Sequence, residues 1–69
     1  MKFNRDKLAK DIILKRVYKE RISLREAAKE CGISFAMMSR YERQEFEPRI
    51  GHLISICEWL GTNINDYII

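Results

Sequence analysis

Few side chains in this 69-residue sequence have the chemistry for catalysis or metal binding. Two cysteines, Cys31 and Cys57, and one histidine, His52, are present, but their spacing matches no common zinc motif. We interpret the cysteines as buried apolar residues rather than a disulfide, and His52 as a surface residue of a helix. The sequence contains no carboxylate pair, Ser/His/Asp arrangement or phosphate-binding glycine loop. It therefore predicts no enzyme activity, no metal site and no cofactor.

Hydrogen-bonding chemistry is concentrated between Ser34 and Arg43. Met37, Met38 and Tyr41 mark the buried side of a helix. The more exposed positions of this helix are Phe35, Ala36, Ser39, Arg40 and Arg43. Its outward side thus combines an aromatic ring, a hydroxyl and guanidinium groups.

A second short helix precedes this one and must position it. Ser23 and Glu26 form a capping-box pattern, which predicts that a helix begins at Leu24. Gly32 can take the positive φ that ends a helix, and Ser34 can cap the next one. The segment from Ser23 to Arg43 is therefore predicted to be a helix-turn-helix.

Charge is unevenly distributed along the chain. Up to Tyr41 there are eleven basic and five acidic residues, a net charge of +6, whereas the remainder has two basic and five acidic residues, a net charge of −3. A basic half suits a polyanionic partner. It is equally consistent with solvated helix faces that form i,i+4 ion pairs, and the helix-turn-helix pattern favours the polyanion.

The segment resembles the Cro/repressor family of helix-turn-helix regulators, also called the xenobiotic-response-element family, over roughly residues 22–68. The matching residues form an ordered series: Ala28, Gly32, Ile33, Ser34, Ser39, Glu42, Pro48, Leu53, Ile56, Leu60, Gly61 and Ile64. The resemblance implies an all-α, lambda-repressor-like domain of five short helices over residues 1–69. It also implies that the second helix of the motif enters the major groove of double-stranded DNA.

The resemblance assigns base contacts to Phe35, Ala36, Ser39 and Arg40. Arg40 can donate two parallel hydrogen bonds to guanine O6 and N7, and Ser39 suits either a base or a phosphate. Phe35 and Ala36 can pack against thymine methyl groups. Phe35 could instead be half-buried against the first helix or belong to a protein interface.

The expected DNA backbone contacts are Arg5, Lys7, Arg25 and Arg43. For Arg5 and Lys7, plain solvated charge is an equal alternative. Glu42 at its family position usually pairs with an arginine of the first helix, for which Arg16 is the candidate here.

The sequence departs from the family around both ends of the motif. Arg21 and Gln44 stand where a glycine is frequent. Glu45 and Glu47 lie in the loop that other members use to bind phosphate, so they should weaken DNA affinity through like-charge repulsion.

The remaining helices follow from caps and apolar spacing. Asn4 can cap a first helix ending near Arg21, with an i,i+4 apolar stripe of Ile13, Leu14, Val17 and Tyr18. A fourth helix, from about Ile50 to Leu60, has a broad stripe predicted to be buried: Ile50, Leu53, Ile54, Ile56, Cys57 and Leu60. Gly61 can end it, and Asn63 with Asp66 can start a fifth.

Apolar residues near the C-terminal end suggest a homodimer interface formed by Trp59, Tyr67, Ile68 and Ile69. The alternative is that they simply cover a small core. We expect a cytoplasmic, dimeric repressor that reads an inverted repeat in DNA, with no membrane partner. The alternative is a protein-interaction module of the same fold, such as an antitoxin or anti-regulator, that binds DNA weakly or not at all.

Overall fold

Four α-helices form the framework of the protein in a computed structural model that describes residues 2–69. They are α1 (Arg5–Ile13), α2 (Leu24–Cys31), α3 (Phe35–Glu42) and α4 (Ile50–Leu60), followed by a 3-10 turn, Ile64–Tyr67. The only strand-like pairing described is one bridge between Phe3 and Ile68. The all-α prediction is confirmed, with the expected fifth helix reduced to the 3-10 turn. Among residues 2–69, no helix is long and apolar enough to cross a bilayer.

Side-chain caps begin most of these helices where the sequence predicts them. Asn4 accepts a hydrogen bond from the Lys7 amide at 3.0 Å, before α1. Ser23 accepts from the Glu26 amide at 3.1 Å and Ser34 from the Met37 amide at 3.2 Å. The 3-10 turn has the full capping box of Asn63 and Asp66. Each cap satisfies an amide that has no partner within its own helix.

Left-handed residues end the helical segments. Gly32 and Gly61 have φ of 70° and 74°, as expected from glycine at a helix end. Arg21 and Gln44 also have positive φ, 56° and 64°. Both non-glycine residues therefore adopt the backbone conformation of the glycine they replace, which L-residues adopt at a cost.

The first helix changes its hydrogen-bonding pattern halfway. After Ile13 the chain continues as a π-helical segment, Leu14–Lys19, instead of an α-helix to Arg21. The core side of the helix consists of Leu8, Ala9 and Ile12. The predicted stripe is not buried: Ile13 is half-buried, whereas Leu14, Val17 and Tyr18 are exposed. These last three residues lie in the π segment, which has no buried residue.

One core lies between the helices. α3 packs against both α1 and α2, and α4 packs against α2. The buried cluster consists of Leu8, Ile12, Ala27, Ala28, Cys31, Ile33, Met38, Tyr41, Leu53, Ile56, Cys57 and Tyr67. The stripe predicted for α4 is too broad, because Ile50 and Ile54 are 67% and 46% exposed. Only the Leu53, Ile56 and Cys57 side of α4 is buried.

The two ends of the described chain meet. The Asn4 amide donates to the Tyr67 carbonyl at 2.6 Å, and the Ile69 amide donates to the Lys2 carbonyl at 2.7 Å. Phe3 packs against the core beside Tyr67, with ring centroids 6.3 Å apart. The start of α1 is thereby fixed to the C-terminal 3-10 turn.

Candidate nucleic-acid interface

The helix α3 is held by a small number of buried side chains. Met38 and Tyr41 are 0% and 2% exposed. The Tyr41 hydroxyl lies 2.6 Å from Nδ1 of His52, which is half-buried in α4. His52 is therefore a hydrogen-bonding partner of the core and not simply a surface residue. This contact fixes the distance between α3 and the first turns of α4.

The opposite side of α3 faces solvent. A helix turns by about 100° per residue, so positions 35, 36, 39 and 40 fall within an arc of roughly 140°. Phe35 is 39% exposed, Ala36 and Arg40 are exposed, and Ser39 is intermediate. The structure therefore brings the four predicted base-contacting residues onto one face.

An ion pair couples α3 to the first helix. Arg16 Nε donates to Glu42 Oε2 at 2.9 Å, and Arg16 Nη2 donates to the other carboxylate oxygen. The hydrogen bond from Arg16 to Glu42 raises the pKa of Arg16, against the lowering effect of burial. The pairing predicted for Glu42 is present. Bidentate geometry restricts rotation as well as distance, so the pair orients α3 on α1.

Arg25 stacks on Phe35. The guanidinium carbon lies 4.3 Å from the ring centroid. The contact links the first turn of α2 to the first turn of α3 across the helix-turn-helix. Stacking uses the face of the guanidinium and leaves its in-plane N–H donors available to a phosphate. Phe35 is 39% exposed and thus partly covered, and its described contact is with Arg25 of α2 rather than with the first helix.

Arg40 makes a similar contact with Phe46. Its guanidinium carbon lies 5.6 Å from the Phe46 ring centroid. Phe46 belongs to the loop after α3 and is 48% exposed. Sequence reasoning did not assign this partner to Arg40. The sequence signal for this contact was an aromatic residue, Phe46, six positions after Arg40 and just beyond the end of the predicted helix.

Arg5 lies near the end of α3, although it belongs to α1. Its guanidinium donates to the Gln44 carbonyl at 3.3 Å, and the Gln44 side chain donates to Asp6 at 3.3 Å. Lys7 is differently placed: its ammonium lies 3.3 Å from Asp11 and 4.8 Å from the Tyr67 ring centroid. Arg5 therefore joins the α3 surface, whereas Lys7 must exchange an ion pair to contact phosphate.

Arg43 and the acidic loop partly neutralise each other. Arg43 Nε lies 3.1 Å from Glu45 Oε2 in an exposed ion pair. The predicted effect of Glu45 was repulsion of DNA. In addition, Glu45 forms an ion pair with Arg43, which is one of the cations expected to bind phosphate.

The four residues expected at a dimer interface do not form one group. Tyr67 is 0% exposed, and its hydroxyl donates to Asp11 at 2.8 Å. This corrects the prediction for Tyr67, whose ring belongs to the core and offers no surface to a partner. Trp59 donates to Glu30 at 2.8 Å and lies under the ammonium of Lys15.

The last two residues lie elsewhere. Ile68 pairs with Phe3, and Ile69 hydrogen-bonds to Lys2. Their side chains are 37% and 73% exposed. They remain available to a partner, in surroundings different from those of Trp59.

Both cysteines are buried free thiols, as predicted. Burial raises the pKa of Cys31 to about 11 and also raises the pKa of Cys57. Residues 2–69 contain no group of three or more His, Cys, Asp or Glu side chains placed to hold a metal ion.

The fold and the exposed face of α3 define a helix-turn-helix protein of the DNA-binding class. A family profile described as Helix-turn-helix matches residues 12–67. The chain therefore belongs to this family, and it is a DNA-binding regulator of the Cro/C1 type. No curated protein and no solved structure matches it.

Proposed function

We propose that this regulator, a single domain of residues 1–69, binds a specific inverted repeat as a dimer and represses transcription by occupying that site in the cytoplasm. The observation that carries the proposal is the face of α3 formed by Phe35, Ala36, Ser39 and Arg40. It lies opposite the buried Met38 and Tyr41. A helix with one face in the core and a short, partly cationic face in solvent fits the major groove.

Each exposed residue of α3 has a defined part in the proposed contact. Arg40 donates to guanine O6 and N7, and Ser39 donates to a base or a phosphate. Phe35 and Ala36 pack against thymine methyl groups. Half-sites that combine guanine with thymine are therefore expected.

Backbone contacts surround this face in the proposal. Arg25 extends from the first turn of α2, and Arg5 from the start of α1 beside Gln44. Arg43 follows α3, and Lys7 contributes once it leaves Asp11. Phosphate contacts of this kind set register and affinity but carry no sequence information.

The proposed dimer matches the two-fold symmetry of the proposed inverted repeat. Two copies place their α3 helices in successive major grooves about 34 Å apart. The proposed interface uses the exposed apolar side chains of Ile68 and Ile69 and the half-buried Trp59, without Tyr67.

Selection of duplexes from a randomised DNA pool at moderate salt tests the proposal. Enrichment of an inverted repeat, with two protomers per duplex by sedimentation, is the expected result. Enrichment of a single half-site would remove the dimer from the proposal. Binding that disappears as salt rises, without any enriched sequence, would sink it.

The variant Arg40→Ala tests the base contact. Loss of a bidentate arginine–guanine contact should weaken binding to the selected site by roughly 1–3 kcal/mol and abolish the preference at one base pair. Equal weakening on all duplexes would instead make Arg40 a phosphate contact. Lys10→Ala is the matched control, because it also removes one exposed cation, which is paired with Asp6 on α1.

A second candidate function is favoured by the loop after α3, where Glu45 and Glu47 flank an exposed Phe46. This combination suits a protein partner better than a phosphate backbone. The double variant Glu45→Lys/Glu47→Lys separates the two functions. A DNA reader should bind its own site more tightly with a steeper salt dependence, whereas a protein-binding module should gain only weak, sequence-independent DNA affinity.

A further inference from the structure

The side chain of Arg40 has an unusual environment for an exposed arginine. Arg16 and Arg43 form ion pairs with Glu42 and Glu45. In the described part of the chain, Arg40 forms none, and its guanidinium instead lies over the Phe46 ring at 5.6 Å from the centroid. Among the described ion pairs and ring contacts, this cation–π contact is the one that restrains the Arg40 guanidinium.

The turn after α3 brings the Phe46 ring close to Arg40. Gln44 adopts a left-handed conformation, and the Glu45 amide donates to the Arg40 carbonyl at 2.9 Å. These are the marks of a Schellman turn, which reverses the chain at a helix end. Phe46, the next residue, therefore returns alongside the last turn of α3.

The guanidinium of Arg40 lies beside a groove of mixed charge. Arg40, Phe46, Glu47 and Arg49 line this open groove of about 290 Å³ beside α3. Glu47 attracts the Arg40 guanidinium and Arg49 repels it, so the two charges partly offset each other there. The ring of Phe46 attracts the guanidinium, and a guanidinium held over a ring keeps the N–H donors at its edge available to another partner.

We propose that Phe46 is a positioning residue that sets the base preference of Arg40 by restricting its guanidinium before DNA is bound. The inference rests on the proposed DNA-reading function. A free arginine must lose several rotameric freedoms to form two parallel hydrogen bonds, and one already held over a ring loses fewer. Prior restriction favours the guanine contact, which fixes two acceptors in one plane, over a phosphate contact, because a phosphate offers several equivalent oxygens to a guanidinium from more directions. Phe46 thereby increases discrimination more than affinity.

The test compares the wild-type chain, Phe46→Leu, Phe46→Tyr and Arg40→Ala in selection from the same randomised pool. Arg40→Ala first identifies the base pair that Arg40 contacts. Phe46→Leu keeps an apolar side chain but removes the aromatic face, so the preference at that base pair should fall about three- to fivefold. Preferences elsewhere and the salt slope should not change, since no charge is altered. Phe46→Tyr should retain the wild-type preference.

A double variant separates positioning from general packing. In the Arg40→Ala background, Phe46→Leu should have no further effect at the same base pair. A uniform loss at all positions, or an unchanged preference in Phe46→Leu, overturns the inference while leaving the DNA-reading function intact. Absence of any enriched sequence for the wild-type chain overturns both. Because Phe46 is 48% exposed, its variants should fold, and Phe46→Ile provides a second non-aromatic variant.

The stack can also be observed without DNA. Protons on the Arg40 side chain should be shifted upfield by the ring current of Phe46 in the NMR spectrum of the free protein. That shift should vanish in Phe46→Leu and persist in Phe46→Tyr. Equal Arg40 shifts in the wild-type and Phe46→Leu proteins would contradict a populated stack.

Discussion

Arg16 and Glu42 are 26 positions apart and form a two-bonded ion pair between the π-helical segment and the end of α3. Their side chains retain only 19% and 13% exposure. A pair so shielded from solvent is strongly interdependent, because removing one partner leaves the other charge partly buried. The orientation of α3 therefore depends on a residue in the π-helical segment of the first helix.

Removal of either partner should destabilise the protein. Glu42→Ala or Arg16→Ala is expected to lower the free energy of unfolding by roughly 2–4 kcal/mol, because an unpaired charge remains. The double variant Arg16→Met/Glu42→Leu should lose much less than the sum of the two. Urea unfolding followed by circular dichroism measures all three. Lys10→Ala is the control, since its pair with Asp6 is exposed and contributes little. Additive losses in the double variant would contradict the coupling.

Glycine should be more stable than other residues at position 44, where Gln44 has a left-handed backbone conformation. Gln44→Gly relieves a conformation that costs an L-residue about 1 kcal/mol. Gln44→Ala loses the same side-chain hydrogen bond to Asp6 but keeps the positive φ. The glycine variant should therefore have a free energy of unfolding roughly 0.5–1 kcal/mol higher than the alanine variant, after the entropy of glycine is included. Its urea midpoint should be correspondingly higher. Equal midpoints would show that φ at this position carries no strain.

The two thiols should be unreactive in the folded state. Burial raises the pKa of Cys31 to about 11, so roughly one molecule in a thousand has a thiolate there at pH 8. Ellman's reagent should label neither cysteine in native protein at pH 8 and both in guanidinium chloride. Rapid labelling with an unchanged circular dichroism spectrum would contradict the burial of these thiols.

Stability should fall in alkali for the same reason. Burial favours the protonated form of Cys31 and Tyr67, whose folded pKa values both lie above their ordinary ones. Their contribution is complete below the unfolded pKa of about 9 for Cys31 and is lost as the pH rises towards the folded value of about 11. Tyr67 extends the loss to higher pH. Thermal unfolding between pH 7 and pH 11 measures it, and a midpoint unchanged up to pH 11 would refute it.

Release of Arg43 should strengthen DNA binding. Glu45→Gln removes one negative charge from the loop and frees the guanidinium with which Glu45 pairs. Affinity should rise, and the salt slope should become steeper by about one unit. In an Arg43→Ala background the gain should be smaller. An identical gain in both backgrounds would mean that only the loop charge matters.

Local chemistry made most of the helix boundaries predictable, although not the end of α1 at Ile13. A serine or asparagine cap and a left-handed residue act within a few positions, so Ser23, Ser34, Asn63, Gly32 and Gly61 could be assigned from sequence. The pairing of Glu42 with Arg16 was also accessible, through resemblance to a family.

Features that depend on tertiary contacts were not predictable in this way. Leu14, Val17 and Tyr18 have helical spacing but lie in a π segment without buried residues. Apolar spacing alone does not identify the side of a helix that the core requires, as Ile50 and Ile54 also illustrate. The contact of Arg40 with Phe46 depends on a chain reversal at position 44. This position has glutamine rather than the glycine that would have indicated such a reversal in the sequence.

The meeting of the two chain ends has a practical consequence for work on this protein. Lys2, Phe3 and Ile68 line one surface groove together with Glu47 of the acidic loop. A fluorophore attached to the side chain at position 2 or at position 68 therefore lies beside the same loop, next to the surface proposed to contact DNA. Moving a label from one end to the other does not remove it from that neighbourhood, whereas a label on the exposed side of the π segment, at Tyr18, is carried by a different part of the molecule.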